Sequence, residues 1–185
     1  MKLQIGLIIF TLLCNPAFAD TAYIDKNTGF SFPTVIAAFT YSDKREYGDS
    51  RLGYGLNYWS KDGVLITVIV YNFGISNIQN GIDGSHVLSQ YNQAQDDVIR
   101  AVKAGHYKSA TEIIDLHSFS PAFLRISYNI IRNDDSKTRS HLFLRGQEDY
   151  FIKVRATGKS AETIDEKVIA FLDQLLIIIS SNEQG

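Results

Sequence analysis

The sequence predicts an α+β layered domain, an antiparallel β-sheet with two main amphipathic helices packed on it as a sandwich. Three observations carry that prediction. Stretches with two-residue alternation are joined by short turns, which pairs neighbouring strands antiparallel. Residues 64–71 are apolar on both faces and rich in β-branched side chains, so that strand needs cover on both sides. Two further stretches carry apolar residues at helical spacing, one between groups of strands and one near the end.

Residues 1–19 read as a secretory signal peptide. Lys2 is followed by a mostly apolar run over 3–13, and the small residues Ala17 and Ala19 precede a cleavage point before Asp20. The run is shorter than the roughly 20 residues that span a bilayer. Cys14 follows the bulky Leu13 and belongs to the segment removed. The exported chain then has no cysteine, which excludes a disulfide framework, thiol catalysis and thiolate zinc ligation. Loss of Lys2 makes it one charge more negative than the net −2 of the full sequence. The expected location is periplasmic or secreted.

Residues 20–28 are expected to form an N-terminal arm, and 29–182 a single α+β domain. Pro33 marks a strand end or an edge. Over 51–58, Leu52, Tyr54, Leu56 and Tyr58 face one way and Gly53, Gly55 and Asn57 the other. The two glycines point to close backbone packing or a bulge. A phosphate loop would need a third glycine and a following helix. Residues 60–63 form a turn into the doubly apolar strand, and 76–84 a polar loop.

Ser85 is placed to cap a helix whose stripe is Val87, Leu88, Tyr91, Ala94, Val98 and Val102, stopped by Gly105. Strands are expected over 111–118, 123–132, 139–145 and 150–156, with turns at 133–136 and 146–149. Ser160 is placed to cap the last helix. Its buried stripe is Ile164, Val168, Phe171, Leu172, Leu175 and Ile179.

The chain is 45% hydrophobic and 21% charged, the balance of a folded protein. Its net charge gives no signal for nucleic acid. The four histidines, His86, His106, His117 and His141, show no metal-ligand spacing. There is no Gly-x-Ser-x-Gly elbow, and the adjacent His117 and Ser118 would point to opposite faces of a strand. The pairs Asp96-Asp97 and Asp134-Asp135 read as solvated carboxylates, and 77–83 lacks the spacing of a calcium loop. No catalytic residue, metal or cofactor is assigned.

One constellation stands out. The odd positions of the last strands collect Arg125, Arg139, His141, Arg145, Lys153 and Arg155, with Phe143 and Phe151 among them. The even positions carry Leu142, Leu144, Ile152 and Val154. Alternation is expected to set the cations and rings on one wet face that holds an anionic ligand or an acidic envelope protein. The function expected is that of a non-catalytic exported binding or accessory module. The alternatives are a hydrolase-type enzyme whose site converges from distant residues, and a carrier of an apolar ligand between sheet and helix.

The residues over 52–58, 67–74 and 80–84, with Gln90, Tyr91 and Ala94 and the stretches 140–144 and 151–155, resemble a group of exported bacterial proteins without assigned function. The order of elements is also similar to that of the PsbP-like photosystem accessory proteins. The resemblance implies bacterial export and supplies no catalytic residues.

Overall fold

The computed structural model of the chain describes residues 20–113, 121–159 and 161–181, with the side chains of 161–164 left aside. The leader over 1–19 lies outside the described residues, as do His117, Ser118 and Ser160. The expected α+β architecture is present. Residues 20–28 contribute a strand, β1 (Thr21–Ile24), which pairs with β2 (Ser31–Pro33) as a separate hairpin ending at Pro33.

The main sheet has eight antiparallel strands. In chain order they are β3 (Val35–Ile36), β4 (Phe39–Glu46), β5 (Tyr54–Ser60), β6 (Leu65–Tyr71), β7 (Ser109–Glu112), β8 (Leu124–Ile131), β9 (Lys137–Gln147) and β10 (Tyr150–Gly158). Their order across the sheet is β3-β4-β5-β6-β10-β9-β8-β7. Two meanders therefore meet where β6 pairs with β10. Helix α1 (Ser85–Lys103) connects β6 to β7, and α2 (Ala161–Ser180) follows β10.

The two faces are buried unequally. On the α2 face, β5 turns Tyr54, Leu56 and Tyr58 inward, β6 turns Ile66, Val68 and Val70, and β10 turns Ile152, Val154 and Ala156. Helix α2 answers with Val168, Phe171, Leu172, Leu175 and Ile179, all fully buried. These are five of the six stripe residues read from helical spacing; the side chain of the sixth, Ile164, lies outside the described residues. Phe171 sits edge-on against Phe39 and Tyr58 at 5.4 Å from each ring.

On the other face α1 buries only Val87, Gln90 and Ala94 among its 19 residues. Leu88, expected in the stripe, is exposed. Gly84, not Ser85, is the N-cap residue, and no side chain caps the helix. Of β6, Leu65, Thr67 and Ile69 on this face remain half-buried. Both faces do have a helix, but α1 covers less of its side.

Both ends of α1 are tied down. Ahead of it, Gly81 bridges Gly146, Ile78 N–H donates to Asp149 Oδ1 at 2.9 Å and Glu148 N–H donates to Asn80 Oδ1 at 2.8 Å. Behind it, Asn133 Nδ2 donates to the Gly105 carbonyl at 2.8 Å. Leu52 falls in a short 3-10 turn, Ser50–Leu52, rather than in the strand.

Candidate functional site

The expected cationic face divides between the two sides of the sheet. Paired residues on neighbouring strands share a face. Five residues, 132–136, separate β8 from β9, so odd positions pair with odd: Arg125 with Phe143, Ser127 with His141, Asn129 with Arg139. Only Glu148 and Asp149, both at positive φ, separate β9 from β10, so odd pairs with even: Phe143 with Val154, Arg145 with Ile152. Arg125, Arg139, His141, Phe143 and Arg145 therefore stand on the α2 face. Phe151, Lys153 and Arg155 stand on the α1 face. The expected single wet face is corrected: the residues divide between a buried group on the α2 side and Phe151, Lys153 and Arg155 on the α1 side, because a two-residue turn inverts the parity of alternation.

The α2-face group is an internal polar network. Phe143 and His141 are fully buried, with ring centroids 6.1 Å apart. Arg145 is buried; its guanidinium lies 5.6 Å from the Phe123 ring and donates to Gln147 Oε1 at 2.8 Å. Arg125 Nε donates to Ser127 Oγ at 2.8 Å. Ser127 Oγ lies 2.8 Å from His141 Nδ1. His141 Nε2 stands 3.0 Å from Asp165 Oδ1 on α2, and Arg139 Nε is 3.8 Å from the same oxygen.

A carboxylate facing Nε2 favours the proton on that nitrogen. Neutral His141 then accepts at Nδ1, and Ser127 donates to it. Burial pushes the His141 pKa down to about 4; Asp165 opposes the shift, while Arg125 and Arg139 add to it.

Serine, histidine and carboxylate in series are the parts of a hydrolase relay. Ser127 is only 2% exposed, however, and its oxygen already accepts from Arg125. The series links sheet to helix. The sequence reading missed Ser127 and Asp165. Correct pairing of β8 with β9 would have set Ser127 opposite His141; Asp165 comes from another element and gave no local signal.

The α1 face carries the open site. Beyond the end of α1 a groove of 780 Å³ runs over the sheet, lined by Trp59, Leu65, Thr67, Tyr107 and Arg155. Its rim adds Arg132, Lys137 and Lys159 against, among the described residues, the single carboxylate of Asp134. Trp59, the only tryptophan of the chain, is 46% exposed. Arg155 Nη2 donates to Tyr107 Oη at 2.8 Å, and its Nε approaches Ser140 Oγ at 3.4 Å. These contacts anchor the exposed guanidinium at the groove, and a guanidinium carries five N–H donors in all.

Phe151 packs fully buried against Tyr71 at 5.4 Å, outside the groove. Thus Arg155 alone of the expected residues lines it. Trp59, Tyr107, Arg132 and Lys137 come from strands, turns and a helix exit that periodicity along one strand could not join.

Among the described residues no group of three His, Cys, Asp or Glu could hold a metal ion. None of the described helices is long and apolar enough to cross a membrane. No protein family, no curated protein and no solved structure matches the chain.

Proposed function

We propose that this is an exported, non-catalytic envelope module that binds an anionic ligand in the groove on the α1 face. The leader pattern over residues 1–19 supports export, and the resemblance to exported bacterial proteins agrees with it. The observation that carries the binding reading is the groove itself. It sets the side chains of Arg132, Lys137, Arg155 and Lys159 around an exposed indole, with one opposing carboxylate. On a chain of net negative charge this is a local reversal of sign, which attracts an anion.

The single tryptophan makes the test direct. Titration with hexaglutamate should change Trp59 fluorescence, with an affinity that falls as salt rises. A double variant, Lys137→Glu with Arg155→Glu, should lose at least tenfold in affinity. A titration curve unaltered in that folded variant removes the groove as the anion site. The hydrolase reading has its candidate residues in the buried Ser127 network, where a substrate could not reach the hydroxyl.

A further inference from the structure

Beside the groove, a second cavity of 230 Å³ lies between α1 and the sheet. Its walls are mostly apolar, from Ala94, Val98 and Ala101 on α1 to Ile69 and Leu142 on the strands. Lys153 and Arg155 also line it, and Arg155 with Tyr107 is shared with the outer groove.

Lys153 is unusual. Its ammonium lies 5.1 Å from the Tyr71 ring centroid, yet among the described residues no hydrogen-bond acceptor or carboxylate pairs with it. Burial holds its pKa below the usual lysine range, against the pull of Asp97. The hydroxyl of Tyr71 is buried without a hydrogen-bond partner among the described residues. Lys153 is half-buried, and its ammonium lines the cavity wall, where a ligand acceptor can meet it.

The charge count limits what that acceptor is. Among the described residues Asp97 is the one carboxylate on the cavity wall, and it is already engaged by Arg100 and by Gln93. With Asp97 paired to Arg100, Lys153 and Arg155 are the lining charges left to meet a ligand, and they favour an anionic end group. The volume of 230 Å³ corresponds to about eight waters at about 30 Å³ each, enough for a carboxylate and a short hydrocarbon.

We propose that the cavity beneath α1 binds a small apolar monocarboxylic acid, its carboxylate between Lys153 and Arg155 and its hydrocarbon against Ala94, Val98 and Leu142. The proposal rests on the anion-binding reading of this face only through Arg155 and Tyr107, which both sites share. It gives the chain the character of a carrier: the charged end is paired near the mouth and the apolar end is removed from water.

The test is calorimetric titration of the protein with sodium hexanoate, with hexylamine as the cationic control. Hexanoate should bind one to one and saturate, and hexylamine should not bind. Lys153→Met should weaken hexanoate at least tenfold, and Ala101→Leu, which fills the cavity, should do the same while leaving Lys153 in place. No saturable binding by the folded protein overturns the proposal, as does full affinity in both variants. If Lys153→Met does not fold, full affinity in Ala101→Leu is sufficient to overturn it. Hexaglutamate run in parallel separates the two sites: its failure with hexanoate retained rejects the outer groove alone.

Discussion

Gly53 holds φ at 66°, and a Cβ added there would lie 1.8 Å from the Val70 carbonyl oxygen. The backbone of β5's entry thus rests directly on β6, and only glycine fits. Gly53→Ala should cost about 2–4 kcal/mol, from the left-handed conformation and the clash together. A lower urea midpoint at unchanged m-value would show it; an unchanged midpoint would mean that the entry turn rearranges freely. A second pair of substitutions separates the faces. Arg145 is buried with its guanidinium on Gln147 and over Phe123. Arg145→Glu should therefore destabilise by about 3 kcal/mol or more, because it buries a carboxylate among groups arranged for a cation. Arg155, exposed at the groove, should tolerate Glu within about 0.5 kcal/mol. Thermal melts of the two variants compare them directly, and equal losses would contradict the division of faces.

At the level of elements, the Ser127–His141–Asp165 series is a latch between β8, β9 and α2. Its histidine is held neutral in the fold but titrates near 6.5 when unfolded. Between those values the unfolded chain binds more protons, so stability present above about pH 6.5 is lost as pH falls toward about 4. Urea unfolding across that range should show this acid limb, and His141→Gln should flatten it. An acid limb of the same slope in the variant would assign it to other groups.

The same latch shows what the sequence made legible. Periodicity along one strand or helix was sufficient for the α2 stripe and for the alternation of β5, since each depends on a single element's geometry. Which strands share a face depends on turn length, and one residue reverses it. The five-residue loop 132–136 kept Arg125 with Arg139, whereas Glu148-Asp149 moved Lys153 and Arg155 to the far side. The groove was less accessible still, because Trp59, Tyr107 and Lys137 converge only through tertiary placement.

Across the whole molecule, stability and binding are divided between the two layers. Helix α2 places five fully buried apolar side chains on the sheet, at roughly 1.5–3 kcal/mol each. Helix α1 fully buries little beyond Val87 and Ala94, leaves Leu88 and Ile99 exposed, and bridges a cavity between ends fixed at Gly146 and Asn133. Local opening should follow that difference, since segments with fewer buried apolar contacts open at lower free energy. Native-state hydrogen exchange should find the middle of α1, around Gln93 to Val98, exchanging through openings well below global unfolding. The middle of α2, around Phe171 to Leu175, should exchange only near the global limit. Hexanoate at saturation should raise protection in α1 and leave α2 unchanged, because the ligand bridges strand β10 and the inner side of α1. Equal protection of the two helices in the free protein would mean that α1 is held by more than its visible contacts, and that entry beneath it requires a different route.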